Sequence, residues 1–115
     1  MNKYTKLSDF EINKKVAARY YQNKDFIEAY KDVEKVFVDG DLFDPCNNPA
    51  DAMPIIKDNF ISITYDGIAW DVSCVKYPEL SVWDGLENYN DNFYRKAMEL
   101  FLLMKDAENE NNNNS

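Results

Sequence analysis

The strongest constraint on the fold is a pair of alternating segments joined by Asp66-Gly67. The flanking residues read FISITY and IAWDVSCV, in which apolar and polar positions alternate as they do along half-buried strands. Asp-Gly is a preferred two-residue hairpin loop because glycine adopts positive φ without strain. The sequence therefore predicts a hairpin near residues 60–75. A two-residue loop also predicts its register, with Tyr65 facing Ile68, Ile63 facing Trp70 and Ile61 facing Val72.

A helix is predicted close to the N-terminus. Ser8 followed three residues later by Glu11 is a capping box, in which the serine hydroxyl accepts from the Glu11 amide. Asp9 lies in the first turn, where a negative charge suits the helix dipole. Apolar residues then recur at helical spacing, which predicts a helix over residues 8–20.

The segment CNNPAD predicts the start of a second, short helix. Asn48 is a good N-cap, and Pro49 suits the first helical position, where its missing N–H has no cost. Asp51 follows in the first turn. Pro54 limits or bends this helix, and Asn59 ends it.

A third helix begins after Asp91 and is expected to be the main cover of the sheet. Its predicted apolar stripe consists of Phe93, Ala97, Leu100, Phe101 and Met104, and the residues predicted outside it are Arg95, Lys96, Glu99 and Lys105. The run LFLLM is apolar around most of the helix, so one sheet does not cover it. Either residues 20–43 cover the remainder or a second copy does, and the pattern favours a homodimer over a monomer.

Residues 20–43 fit a short helix about as well as an irregular strand. Within them, KVFV and LF flank Asp39-Gly40-Asp41, which predicts a short hairpin. Residues 76–90 contain Pro and Gly and predict a long loop with a short extended piece at residues 80–83. The fold prediction is a single α+β domain over residues 1–107: a small antiparallel sheet packed by the N-terminal, Pro-started and C-terminal helices. Residues 108–115 are predicted to be a flexible polar tail.

Composition argues against several classes of site. The sequence contains no His, which removes the commonest general base and zinc ligand. The two cysteines, Cys46 and Cys74, form no CxxC pair, so buried free thiols are favoured over a disulfide. No glycine-rich phosphate loop is present. We therefore expect no enzymatic activity, no metal and no cofactor.

Charge and hydropathy argue against two further partners. A net charge of −8 disfavours direct binding to nucleic acid, which needs a basic patch. A solvated acidic surface is the favoured interpretation, and imitation of nucleic acid towards a basic partner is the alternative. No apolar run reaches the roughly 20 residues of a membrane span, and the N-terminus lacks a secretory signal. The sequence predicts a cytoplasmic protein that binds no membrane.

Three blocks of the sequence read LSDFEIN, DPCNNPADAMPIIKDNFISI and AMELFLLMKDAEN. In content and order they resemble the NinX-like family of small tailed-bacteriophage and prophage proteins. The middle block is the most specific. The resemblance implies a phage accessory protein acting in the host bacterial cytoplasm, dispensable for basic growth, and it supplies no catalytic residues.

Two groups of residues are candidates for binding. Cys46, Asn47, Asn48, Asp51 and Trp70 would form a polar corner at a helix N-terminus, although helix capping and a half-buried thiol explain the same residues more simply. A nucleotide site would use cations and stacking rings: Lys14, Lys15, Arg19, Trp70 and Trp83. Phage accessory proteins often antagonise host defence. We therefore expect stoichiometric binding to a host protein first, and sequestration of a small nucleotide-type signalling ligand as the alternative.

Overall fold

The computed structural model describes residues 2–22, 26–82 and 92–113. Over these ranges it contains an N-terminal, a middle and a C-terminal helix and two antiparallel three-stranded sheets. The elements in chain order are α1 (Asp9–Tyr20), β1 (Ile27–Tyr30), β2 (Lys35–Val38), β3 (Asp41–Leu42), α2 (Pro49–Asp58), β4 (Ile61–Tyr65), β5 (Trp70–Cys74), β6 (Ser81–Val82) and α3 (Phe93–Asn113). The α+β prediction is confirmed.

The N-terminal helix begins as its capping residues predict. The hydroxyl of Ser8 accepts from the Glu11 amide at 3.1 Å, so one of the amides left unpaired at the helix start is satisfied. Ile12, Val16 and Ala17 are fully buried. Through this face α1 packs against α3 and against β1 and β2.

Residues 26–42 form sheet 1, with strand order β1-β2-β3. The predicted hairpin between β2 and β3 is confirmed: Asp39 and Gly40 both have positive φ, 51° and 87°, as a two-residue reversal requires. Val36 and Val38 are buried. By sequence, residues 20–43 fit a short helix and an irregular strand about equally well. The structure has a strand there, at Ile27–Tyr30.

Sheet 2 contains the predicted hairpin, but the predicted register is wrong by two residues. Ile63 pairs with Val72 and Tyr65 with Trp70. The loop has four residues, because Oδ1 of Asp66 accepts from the amides of Ile68 and Ala69 at 2.8 and 2.9 Å and keeps both out of the strand. A shift of two leaves each side chain on its predicted face, so Val72 is still buried.

The Pro-started helix is confirmed. Oδ1 of Asn48 accepts from the Ala50 amide at 3.0 Å, Pro49 is the first helical residue and Asn59 is the C-cap. Pro54 lies inside the helix, which continues to Asp58.

Helix α3 lies at the centre of the fold. It contacts α1 and α2, and also all three strands of sheet 2. Leu100, Phe101, Leu102 and Met104 are all buried. Within the described residues, α1, α2 and sheet 2 all contact α3, and of residues 20–43 Tyr20 contacts Phe101, with ring centroids 6.2 Å apart. These four residues are therefore buried without a second copy, and the homodimer stays a prediction.

The predicted polar side of α3 needs a correction. Lys96 and Glu99 are 1% and 3% exposed, and the side chain of Arg95 is 11% exposed. They are buried because neighbours surround α3, and each ion meets a polar partner described below. The α3 backbone is helical through Asn113, so it extends into the predicted tail at 108–115, whose flexibility stays a prediction. No helix among the described residues has the length and apolar character to cross a membrane.

Candidate functional site

The segment CNNPAD lies where α1, α2 and the start of α3 meet. Nδ2 of Asn47 donates to Oδ2 of Asp9 at 3.0 Å and to Oδ1 of Asp44 at 3.1 Å. Nδ2 of Asn92 approaches Oδ1 of Asn47 at 3.3 Å and donates to the Cys46 carbonyl at 2.8 Å. We call this set, Asp9, Asn13, Asp44, Cys46, Asn47 and Asn92, the junction. It connects the segment before α2 with the first turn of α1 and the N-terminus of α3.

Asn13 makes the deepest contact of the junction. It is 6% exposed, and its Oδ1 accepts from the Cys46 amide at 3.1 Å while its Nδ2 donates to Oδ1 of Asp44 at 2.8 Å. A buried amide side chain is costly unless both ends are paired. Both ends of Asn13 are paired, so this residue fixes the approach of the Cys46 segment to α1.

The other two members of the predicted polar corner act locally. Asn48 caps α2, and Oδ2 of Asp51 accepts from the Asp44 amide at 2.9 Å. Three carboxylates, those of Asp9, Asp44 and Asp51, lie in or beside this corner. Their charge opposes binding of an anion at the start of α2. Capping and internal hydrogen bonds account for each polar side chain of CNNPAD.

Arg95 connects the N-terminal segment to α3. Its Nη1 lies 2.6 Å from Oδ1 of Asp9 and its Nε lies 2.8 Å from Oε2 of Glu99. Its Nη2 donates to the carbonyls of Leu7 at 2.7 Å and Tyr4 at 3.0 Å. Burial opposes the charged guanidinium, but the bonds to Glu99 and Asp9 outweigh it and raise the pKa of Arg95. The buried ion pair is therefore well partnered.

The thiol of Cys46 is not set up as a nucleophile. Cys46 is fully buried. This burial is the larger cause, and the negative charge of Asp9 the smaller, of a thiol pKa far above its ordinary value. A thiolate is the reactive form of cysteine. Cys74 is also buried and free, which confirms the expectation of two free thiols. Among the described residues, no group of three or more His, Cys, Asp and Glu could hold a metal ion.

The exposed surface of sheet 1 carries a row of apolar side chains. In antiparallel pairing, opposed residues share a face, so the register places five residues together on the side away from Val36 and Val38: Glu28, Tyr30, Lys35, Phe37 and Leu42. We call this the outer face. Leu42 is 52% and Tyr30 43% exposed. The rings of Tyr30 and Phe37 pack edge to face at 5.9 Å.

A cleft of about 450 Å³ adjoins the outer face. It lies between the start of α1, the β1–β2 turn and β3, and its lining includes Asp9, Glu34, Asp44, Lys35, Leu42 and Asn47. Asp9 is paired with Arg95. Among the ion pairs formed by the described residues, none involves Glu34 or Asp44. The cleft therefore has more carboxylates than cations in its lining, and apolar side chains such as Leu42 line it as well.

Comparison with known families gives one clear result. A family model described as Bacteriophage P22, NinX matches residues 3–105. The chain belongs to the NinX family. No curated protein and no solved structure gives a significant match. The match spans α1, both sheets and most of α3, so the junction, the outer face and the cleft all lie within the NinX-family region.

The remaining predicted site residues are not members of the junction. In this NinX-family chain, Trp70 is half-buried on β5, with its ring 5.2 Å from that of Tyr65 and 5.0 Å from that of Phe93. Its carbonyl accepts from Nζ of Lys96 at 2.8 Å. Trp70 thus packs sheet 2 against α3. Trp83 lies outside the described residues.

The cations proposed for a nucleotide lie on α1. Lys14 and Lys15 are exposed, whereas Arg19 Nη2 lies 3.6 Å from Oδ1 of Asp106. Next to them, the Tyr20 hydroxyl donates to Oδ2 of Asp58 at 2.6 Å. Burial and then this bond raise the pKa of Tyr20 to about 12. Neither lysine lines the cleft.

Sequence reasoning missed the outer face and the cleft. The signal for the outer face was the alternation in KVFVDGDLF, which places Phe37 and Leu42 on the side opposite Val36 and Val38. The cleft had no local signal, because its two walls, residues 8–13 and 33–47, are at least twenty positions apart in the sequence. Arg95 had only its i,i+4 spacing to Glu99 as a local signal, since its other partners come from the N-terminal segment and the first turn of α1.

Proposed function

We propose that this NinX-family chain acts by stoichiometric binding to a host protein, and that the outer face of sheet 1 is the binding surface. The family assignment supports a phage protein. The observation that carries the proposal is the row formed by Tyr30, Phe37 and Leu42, in which the first and last are exposed. Aromatic side chains with neighbouring aliphatic ones are typical anchors of protein interfaces.

Clustering distinguishes this surface from single exposed apolar residues. Phe60 and Val75 are more exposed, at 82% and 87%, but Phe60 lies between α2 and β4, and Val75 directly follows β5. Single apolar residues on a surface are common and need no partner. By contrast, the outer face joins three apolar side chains across three adjacent strands.

A matched pair of variants tests the proposal. Leu42→Glu and Val75→Glu make the same chemical change at exposed positions. Affinity-tagged wild type and both variants are incubated with host lysate, and the retained host protein is quantified against bound chain. We expect a near-stoichiometric host protein with wild type and Val75→Glu, and its loss with Leu42→Glu. Equal retention by all three would contradict the proposal.

We further propose that the target belongs to the host antiphage defence. The test compares plaque formation by phage with an intact gene and with the Leu42→Glu codon change, on hosts with and without defence systems. The proposal expects a plating defect of the variant phage only where the relevant defence is present. Equal plating on every host would contradict this part, without affecting host binding itself.

The nucleotide-sequestering alternative gains no support from the described residues. The carboxylates of Glu34 and Asp44 line the cleft and would repel phosphate. Arg19 is paired with Asp106. Protein binding therefore remains the favoured proposal.

A further inference from the structure

We propose that the cleft receives a lysine or arginine side chain of the bound protein while an apolar side chain two positions away in the same extended segment packs on the outer face. This rests on the proposed function, because it names the chemistry of the partner segment at that surface. The partner is thus a protein that presents a basic and an apolar residue two positions apart.

The outer face and the cleft form one continuous surface. Lys35 and Leu42 belong to the outer face by their strand register, and both also line the cleft. Along an extended segment, neighbouring side chains point to opposite sides and residues two apart share a side. A segment crossing Leu42 could therefore place one side chain on Phe37 and another over the cleft.

Carboxylates outnumber cations in the cleft lining, where Asp9, Glu34 and Asp44 lie with one lysine, Lys35, and this excess favours a bound cation. Oδ1 of Asp44 accepts from amide groups of Asn13 and Asn47, which are neutral donors. Glu34 is exposed on the β1–β2 turn. Because a carboxylate has about four acceptor positions on two oxygens, Asp44 retains capacity for an additional N–H donor. Neither Glu34 nor Asp44 has a cationic partner among the ion pairs of the described residues. A bound lysine or arginine would supply that partner.

Charge also argues against a second copy as the occupant. Residues 26–42 contain five acidic and two basic side chains: Glu28, Asp32, Glu34, Asp39 and Asp41 against Lys31 and Lys35. By register the outer face itself carries one charge of each sign, Glu28 and Lys35, so the acidic excess lies at the turns beside it. Two copies facing each other would bring these like charges together. A basic partner meets the opposite sign instead, and this complementarity would speed its association at low salt.

The test uses a defined probe. A short fluorescently labelled peptide of repeating Leu-Ser-Lys-Ser, in which leucine and lysine share one side of an extended chain, is titrated with the full chain by fluorescence anisotropy. The same peptide with glutamate in place of lysine is the charge control. Glu34→Lys reverses one charge of the cleft lining, and Leu42→Glu changes the residue that the cleft shares with the outer face. Glu79→Lys and Val75→Glu make the same changes at exposed positions outside the cleft. Light scattering monitors the oligomeric state of each variant.

We expect the leucine–lysine peptide to bind wild type and both control variants, with affinity falling as salt rises. Glu34→Lys should weaken binding about fivefold to tenfold, and Leu42→Glu by about tenfold or more. Absence of binding, or equal binding to all four variants, would overturn the inference. A dimer that dissociates with Leu42→Glu would instead assign the surface to a second copy and also overturn it.

Failure here is distinguishable from failure of the proposed function. If Leu42→Glu loses the host protein from lysate while Glu34→Lys retains it at wild-type level, host binding stands and the basic segment is excluded. If both variants retain the host protein, the outer face itself is excluded.

Discussion

Removing Arg95 should destabilise the fold more than removing any exposed ion pair. Its side chain is 11% exposed and that of Glu99 is 4% exposed, so Arg95→Met leaves the Glu99 carboxylate buried with only weaker donors, Asn2 Nδ2 at 3.1 Å and Thr5 Oγ1 at 3.4 Å. Breaking a buried pair in this way costs about 3–5 kcal/mol. The lost contact with Asp9 adds little to this cost, because the Asp9 side chain is 45% exposed and water can replace the guanidinium there.

Urea and thermal unfolding followed by circular dichroism measure this loss. A loss of about 3–5 kcal/mol corresponds to a fall in Tm of roughly 10–20 °C for a domain of this size. The matched surface control is Lys105→Met, since the Lys105–Glu108 pair is more exposed, at 23% and 31%, and should cost less than about 1 kcal/mol.

A double-mutant cycle separates the ion pair from the other contacts of Arg95. Arg95→Met with Glu99→Leu removes both charges, so it should be at least about 1 kcal/mol more stable than the sum of the two single losses predicts. The carbonyls of Tyr4 and Leu7 stay without their donor in both, so recovery is incomplete. Arg95→Met costing less than about 1 kcal/mol, or a cycle without coupling, would refute the reasoning.

Three further predictions concern single positions. Trp70→Ala should lower the free energy of unfolding by about 3 kcal/mol, the lower end of the range for truncating a buried tryptophan, because the ring is half-buried between Tyr65 and Phe93. An unchanged urea midpoint would show that the ring lies on the surface and does not stabilise the fold. Burial alone would raise the pKa of Asp106, but hydrogen bonds from Tyr4 and Lys3 lower this pKa below its ordinary 3.8. Wild type should therefore be more stable than Asp106→Asn by a constant amount above pH 3.8, and this difference should shrink as the pH falls below 3.8. Urea titrations across this acid range check the sign, and a gap that widens towards low pH would be inconsistent with it. Finally, burial raises the pKa of the Cys46 thiol, and Cys74 is buried too. A thiol reagent at mildly alkaline pH should therefore label neither cysteine until urea unfolds the chain. Rapid labelling of the native protein would disprove the burial of the two thiols.

Local sequence signals predicted the start of each of the first two helices. Ser8 and Asn48 cap α1 and α2, and both roles depend on residues within three positions. The faces of the 60–75 hairpin were also predictable, since alternation determines them. Its register was not, because Asp66 pairs with two amides of its own loop and changes the loop length.

The polar residues of α3 show why helical periodicity alone was insufficient. Lys96 and Glu99 lie off the predicted apolar stripe and are nevertheless buried, since α3 has neighbours on several sides. Their partners, such as the Trp70 carbonyl for Lys96, come from distant parts of the chain. The cleft was unpredictable for the same reason.

Site-specific photo-crosslinking in host cells tests the role of the outer face most directly. A photoreactive phenylalanine analogue replaces Leu42 in one chain and Val75 in another, both positions being more than half exposed. The account predicts one discrete host-protein adduct from position 42, suppressed by adding Tyr30→Glu, and no such adduct from position 75. The same adducts from both positions, or none from position 42 while position 75 forms one, would contradict it.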